Sequence, residues 1–319
     1  MQVPALRRVR FLGLFCLPLF LILGAACLTV AQVTVAQISD THIGENHSPH
    51  ALDNLRRAVD MINRRHPDAV ILSGDIGENS EYWEQARRIL RGLHEPLYIA
   101  PGNHDVHTMD VDRYRQVFGN DYYRFNVKGV TFVVIDSQLL GNFDHFDSKS
   151  PPGMPDFTRQ QSDRMMDWLE DLAANRDTGD RNRDDRDRDG RWDRQRDSEA
   201  RDDRDQRRDN GDPGPRIVIG IQHIPVFRDE RVLPDPKPYW VISDPYRSRE
   251  MDLLKRLGVR HMLVGHWHVY DVFDRGGITW HVGPATSWLP WGGELGFAIH
   301  TIDPNGEVHS EFVSLHSKP

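Results

Sequence analysis

Asp40 and His42, Asp75, Asn103 and His104, His223, and His266 with His268 are the residues of this chain whose types and spacing could do chemistry. They supply imidazole, carboxylate and one carboxamide, the nitrogen and oxygen donors that suit Zn, Mn or Fe. Most stand in compact motifs: Asp40-Thr41-His42, Ser73-Gly74-Asp75, Gly102-Asn103-His104-Asp105 and Gly265-His266-Trp267-His268, with His223 in Gln222-His223-Ile224-Pro225. Each motif alone has a plainer reading. A lone Asp-x-His after a strand is a helix cap or a turn, and Gly-Asn-His-Asp is a tight turn whose Gly and Asn tolerate left-handed backbone. Their order and their common placement after apolar runs favour a joint reading, in which five loops deliver metal ligands to one edge.

The runs that must position those loops alternate in character. Val33 to Ile38 is a β-rich stretch; Leu52, Leu55, Val59 and Ile62 then fall on one helical face, and Ala69 to Leu72 is the next strand. Further strands are expected at 97–100, 122–127, 130–135, 217–221 and 261–264, with helices near 81–92, 158–174 and 246–257. Lys128-Gly129 reads as a hairpin turn. After residue 264 strands follow one another at 269–273, 278–282, 295–302 and 308–313, so the second half is partly antiparallel. The expected fold is α/β, with two mixed sheets packed face to face and helices outside. In such sheets a ligand crevice opens at the carboxyl ends of the strands, where the chemistry-bearing residues fall.

Charge sets limits on partners. The 319 residues carry 48 acidic and 40 basic side chains, a net charge of −8, which excludes a general patch for nucleic-acid phosphates. Two segments stand apart. Residues 1–31 place Arg7, Arg8 and Arg10 before an uncharged apolar stretch at 11–31, the order of a signal peptide for export or of an N-terminal membrane anchor. Gly24-Ala25-Ala26-Cys27 also faintly resembles a lipoprotein site. Residues 176–212 hold 12 Arg and 14 Asp or Glu and are expected to form a disordered surface insertion within a domain spanning 32–319. Asp185 to Gly190 matches the start of a calcium loop, but Arg196 stands where the bidentate Glu is needed. Both cysteines, Cys16 and Cys27, lie in the apolar segment, which excludes a disulfide framework or a Cys-based zinc site in the core.

The motif set resembles the calcineurin-like metallophosphoesterases, whose Asp-x-His, Gly-Asp, Gly-Asn-His-Asp/Glu, His and Gly-His-x-His pattern is complete here. The resemblance implies a four-layer α/β/β/α sandwich and two divalent or trivalent ions of Mn, Fe or Zn. It assigns Asp40, His42 and His268 to one ion, Asn103, His223 and His266 to the other, and Asp75 as the bridge. Two cations about 3.5 to 4 Å apart clamp a phosphoryl oxygen and generate a bridging hydroxide, so no nucleophilic Ser or Cys is required. His104 is not a ligand in that pattern and is expected to face the phosphate. Glu78, three residues after Asp75, is expected either to orient His104 or to lie exposed. A Tyr at that position marks purple acid phosphatases, and an Asp-Arg-Gly run after Gly-Asp marks the Ser/Thr phosphatases proper; this chain has neither. The nearer likeness is to small single-domain phosphoesterases, including cyclic-nucleotide phosphodiesterases and a eukaryotic subgroup of protein phosphatases with a similar Gln-His-Ile-Pro.

The expected substrate is thus a phosphate ester, as monoester, phosphoprotein or diester. A non-catalytic, metal-stabilised scaffold on the same fold is the rival reading, although such scaffolds usually show eroded ligands and none is missing here. Tyr239 and Trp240, in a proline-stiffened loop after His223, are expected either to contact substrate or to close the core; Trp288 and Trp291 lie downstream of the last motif. His47, His50, His107, His145, His261 and His281 match no motif and are read as solvated or as supporting the ligands from outside.

Overall fold

A computed structural model of the chain describes residues 32–106, 111–141, 156–178 and 217–316. The N-terminal segment 1–31, His107, His145 and nearly all of the charged run lie outside the described residues. Among the described residues no helix is long and apolar enough to cross a membrane.

The first half winds strand, helix, strand as the alternating pattern requires: β1 (Val33–Ile38), α1 (Ala51–Asn63), β2 (Ala69–Ser73), α2 (Ser80–Leu90) and β3 (Leu97–Ala100). α1 forms because Leu55, Ala58, Val59 and Ile62 recur at helical spacing and bury one face. α2 is started by Asn79, whose side chain accepts from the backbone N–H groups of Glu81 and Tyr82 at 3.0 and 3.2 Å. That cap fixes the chain immediately after Glu78. A short helix α3 (Val111–Phe118) follows, then β4 (Tyr123–Val127) and β5 (Val130–Val134), joined through Lys128 and Gly129, both with positive φ as a two-residue hairpin demands. Next come α4 (Asp156–Thr178), β6 (Val218–Ile221), α5 (Tyr246–Leu257) and β7 (His261–Val264). β8 (Asp271–Arg275), β9 (Ile278–Val282), β10 (Gly296–Ile302) and β11 (Val308–Ser314) complete the chain.

These strands make two mixed sheets, ordered β11-β10-β1-β2-β3 and β4-β5-β6-β7-β9-β8. β1, β2 and β3 are parallel in the first, and β5, β6, β7 and β9 in the second; antiparallel strands flank both. Val33, Val35, Ile71, Phe132, Ile219 and Ile221 form the core between the sheets. A second core joins the outer sheet faces to helices: Ile38 and Leu72 with Leu55 and Ile62, and Val133 and Met262 with Leu169 and Leu254. The α/β fold with two mixed sheets is therefore as expected from the sequence.

Three expectations need correction. α3 was not foreseen, because it is only eight residues long and buries just Val111, Tyr114 and Phe118; Tyr114 and Phe118 pack against Trp83. β8 begins two residues later than its apolar run suggests, since the Gly276-Gly277 turn sets Arg275 opposite Ile278. α4 continues to Thr178, three residues into the stretch assigned to the charged insertion.

Candidate metal centre

Five of the parallel strands, β1, β2 and β3 in one sheet and β6 and β7 in the other, each end in a ligand-bearing loop. Asp40 N–H donates to the Gly74 carbonyl at 3.1 Å and His42 N–H to the Asp75 carbonyl at 2.9 Å, tying the loops after β1 and β2. The Asp105 carboxylate ties the loop after β3 to that after β2, accepting from Gly102 N–H and Ile76 N–H at 2.9 Å each. The second sheet joins through Gly265 N–H on the His223 carbonyl at 2.8 Å and His266 N–H on Asp40 Oδ1 at 3.1 Å.

Backbone geometry sets this region apart. Among the described residues, seven non-glycine residues have positive φ, and five of them are Asp40, His42, Asp75, His266 and His268. Each such residue costs about 1 to 3 kcal/mol and persists only where the surroundings enforce it. The reversals at His266 and His268 turn both imidazoles to one side and send Trp267 into the core, where its indole N–H donates to the Trp240 carbonyl at 3.0 Å. Close approach also needs Gly102, because a Cβ there would collide with the Asp75 backbone nitrogen and carboxylate.

Asp40, His42, Asp75, Asn103, His223, His266 and His268 are all buried and converge. Three groups have ligand atoms within 4.8 Å of one another: Asp40 with His42 and His268, His42 with Asp75 and His104, and Asp75 with His223 and His266. Asp75 Oδ2 lies 3.0 Å from His223 Nε2 and 3.4 Å from His42 Nε2, so this carboxylate spans the two sides.

The outer nitrogens of the histidines fix which ring nitrogen faces inward. His223 Nδ1 donates to the Ser73 carbonyl at 2.6 Å, His268 Nδ1 to the Trp288 carbonyl at 3.0 Å, and His266 Nε2 to the Tyr239 carbonyl at 3.0 Å. His42 Nδ1 faces the Glu78 carboxylate at 3.4 Å. A carbonyl or carboxylate can only accept, so in each neutral ring the remaining nitrogen presents a lone pair; the inner nitrogen of His223 instead faces Asp75 Oδ2 at 3.0 Å and is open to coordination once its proton leaves. Two of those lone pairs, on His42 Nε2 and His268 Nε2, face each other at 3.0 Å. Asn103 follows the same logic: its Nδ2 donates to the Tyr239 hydroxyl at 3.0 Å, leaving Oδ1 buried without a hydrogen-bond partner. Lone pairs crowded together in a buried space fit cations. The donor set therefore suits a dimetal centre.

Electrostatics agree. Burial holds the His42 imidazole below its ordinary value, His266 well below it and His268 down to about 4, so these rings are neutral and ready to coordinate. Burial also pushes the Asp40 carboxyl up, a penalty that a bound cation removes. For His223 burial lowers the pKa, but the Asp75 carboxylate outweighs it and holds the ring up to about 9.

His104 and Glu78 stand at the accessible side, 27% and 20% exposed. His104 N–H donates to Asp75 Oδ1 at 2.9 Å, and its Nδ1 lies 3.0 and 3.2 Å from the two Glu78 oxygens. Burial presses this imidazole toward neutrality, but Asp75 and Glu78 outweigh it and hold it up to about 9. Of the two roles open to Glu78 in the sequence, the contact with His104 is the one present.

Tyr239 and Trp240 were expected either to contact substrate or to close the core, and their placement bears on the second of these. Both are buried, because Tyr239 braces Asn103 and His266 through its hydroxyl and carbonyl while Trp240 packs on the His266 ring at 5.4 Å. His261 and His281, thought solvated or supporting, are instead buried in a separate chain between the sheets: His261 Nδ1 to His281 Nε2 at 3.1 Å, His281 Nδ1 to Ser310 Oγ at 2.7 Å, Ser310 to His300 Nδ1 at 2.7 Å, and His300 Nε2 to Gln37 Oε1 at 2.8 Å. Sequence reasoning gave Asp105 no role; its burial under the loops was the signal that only the fold supplies.

Comparison with known proteins agrees with this geometry. The serine/threonine-protein phosphatase CPPED1 of Bos taurus is 24% identical over 227 residues, covering 66% of this chain. The matched region is 57% of that protein, so the chain spans little more than half the length of this relative. The glycerophosphodiester phosphodiesterase GpdQ of Enterobacter lignolyticus (strain SCF1) is 36% identical over 89 residues, 25% of this chain and 32% of that protein. The crystal structure of a dimetal phosphatase from Danio rerio superposes with a TM-score of 0.58 at 14% identity, covering 89% of this chain and 96% of that one, which shows a shared fold. Residues 33–270 match the model of the calcineurin-like phosphoesterases, and with its converging His and Asp clusters the chain belongs to that family of metal-dependent phosphoesterases.

Proposed function

We propose that this chain hydrolyses phosphoric esters at a two-metal centre, with Asp40, His42 and His268 around one ion, Asn103, His223 and His266 around the other, and Asp75 shared. The observation that carries the reading is the approach of His42 Nε2 to His268 Nε2 at 3.0 Å, with the outer nitrogen of each ring facing an acceptor, beside the unpartnered Oδ1 of Asn103. Bound Mn, Fe or Zn ions supply Lewis acidity and an activated water, as in other two-metal hydrolases. They also supply the positive charge that a chain of net charge −8 lacks for meeting a phosphate.

His104 protonates the leaving oxygen. Its Nδ1 is engaged by Glu78, which leaves Nε2 for the substrate, and its partial exposure gives an ester access to it. Glu78 is a positioning residue: it holds the His104 ring and sets its proton on the correct side. Diester cleavage is supported by the likeness to GpdQ, and phosphoprotein or monoester cleavage by the likeness to CPPED1. The basic-then-apolar order of residues 7–31 supports export or an N-terminal anchor, ahead of one catalytic domain carrying the 176–212 insertion.

The test is turnover of 4-nitrophenyl phosphate and bis(4-nitrophenyl) phosphate by protein reconstituted with Mn, Zn or Fe. Hydrolysis of either supports the reading, and the ratio separates monoesterase from diesterase. His104→Ala is expected to keep its metal and lose about 100-fold or more in kcat; unchanged turnover would remove His104 from its role. Bound metal with no turnover of any ester would favour the scaffold reading.

A further inference from the structure

We propose that Trp288 is a specificity-determining residue whose indole face is the platform for a planar, ring-bearing leaving group. The inference rests on the phosphoesterase reading above and adds a substrate class to it.

Trp288 is anchored to the ligand loops by the residues around it. Thr286 N–H donates to the Ser39 carbonyl at 3.2 Å, Ser287 Oγ donates to the Asp40 carbonyl at 2.5 Å, and the Trp288 carbonyl receives His268 Nδ1. The segment is thereby bonded to both loops that carry Asp40 and His268, which fixes the backbone from which the indole projects. Its ring meets the ligand rings edge-on, 4.8 Å from His268 at 71° and 6.4 Å from His42 at 73°. His104 borders the same His42 ring, with centroids 4.5 Å apart. The proton donor for the leaving oxygen and the indole thus flank one imidazole, so a group departing past His104 has an aromatic surface close by.

The face of that surface already carries a flat heterocycle. His47 stacks on Trp288 with centroids 5.2 Å apart and planes 27° from parallel. His47 is 70% exposed and sits in a loop, with the Glu45 carboxylate 2.6 Å from its Nδ1. It occupies the platform as a substrate ring would, and its exposure leaves it room to yield. The indole N–H is itself buried, so the platform offers a ligand its ring face rather than a donor. Stacking on an aromatic side chain is tolerant of ring identity, so aryl and nucleobase leaving groups share this chemistry.

The experiment compares kcat and KM of the metal-reconstituted full chain on 4-nitrophenyl phosphate, adenosine 5′-monophosphate and glycerol 3-phosphate. Trp288→Ala is expected to raise KM on at least one ring-bearing ester about tenfold more than on glycerol 3-phosphate, with kcat less affected. A loss on the nucleotide alone assigns the platform to nucleobases, and a loss on the aryl ester to rings bonded at the leaving oxygen. Trp288→Phe, which keeps a flat face, is expected to stay within about threefold of wild type. If the Ala variant does not fold, Trp288→Leu gives the same contrast of apolar but non-planar. Competitive inhibition by phenylphosphonate, measured against methylphosphonate, should weaken selectively in the same variants. Equal losses on all three esters, or a Phe variant as impaired as Ala, would overturn the inference. Wild-type protein that turns over none of the three contradicts the parent reading instead.

Discussion

Glu78 and His104 form a hydrogen-bonded pair, with Oε1 and Oε2 3.0 and 3.2 Å from Nδ1, and the same Oε1 lies 3.4 Å from Nδ1 of the ligand His42. One carboxylate therefore sets the orientation of two imidazoles with different tasks. Glu78→Gln keeps the size and an acceptor but removes the charge. It is expected to lower kcat about 10- to 100-fold while the folded protein retains its metal in excess ion. Steady-state kinetics at saturating metal check this, and a kcat within twofold of wild type would show that the pair is structural only.

Tyr239 tests the bracing of the ligands. Its hydroxyl holds Asn103 Nδ2, which aims Oδ1 inward. Tyr239→Phe should weaken binding of one ion about 10- to 100-fold and leave the other site unaffected. A metal titration by calorimetry is the measurement, and two unaltered binding steps would mean that Asn103 needs no support.

Much of this was legible before any fold was known, because Asp40, Asp75, Asn103, His223 and His266 each follow a run whose apolar pattern marks a parallel strand. The sandwich followed from the change from α/β alternation to successive strands after residue 264. The support of the ligands was not legible. Tyr239 acts through a backbone carbonyl and a hydroxyl, and no spacing in the sequence reveals that these reach His266 and Asn103. Likewise His261, His281 and His300 are far apart in sequence, and only strand register brings them into one chain. Positive φ at five site residues, none of them Gly, runs against local preference and is enforced by tertiary bonds.

That histidine chain makes a prediction about acid stability. Burial holds the His281 imidazole down to about 2 and His300 down to about 3, whereas both protonate near 6.5 in the unfolded chain. Between about pH 6.5 and 3 the unfolded state binds more protons, so stability is full above 6.5 and is lost as the pH falls through that window. Each ring contributes a slope of roughly 1.4 kcal/mol per pH unit. His300→Gln keeps a donor for Gln37 and an acceptor for Ser310 but cannot take up a proton. Urea denaturation at pH 7 and pH 5 should show a smaller difference for this variant than for wild type; an equal difference would place the acid sensitivity elsewhere.

Removal of metal should also be felt in the fold. The ligands crowd lone pairs and carboxylates that only a cation or protons can satisfy, and an ion that binds the native state alone stabilises it by about 2.7 kcal/mol at 100 times its Kd. Chelated protein is therefore expected to melt roughly 5 to 10 °C lower than protein with excess Mn or Zn. Scanning calorimetry with and without chelator checks this, and identical melting curves would contradict binding at these residues.

The most direct test of the two-metal account is elemental analysis of reconstituted wild type and Asp75→Asn, read beside phosphoester turnover on the same samples. Asp75 is the carboxylate that reaches both sides of the site, 3.0 Å from His223 and 3.4 Å from His42. The account predicts about two ions per chain and turnover in wild type, and loss of metal together with activity in the variant. Asp75→Asn that holds both ions and hydrolyses the ester at the wild-type rate would contradict it.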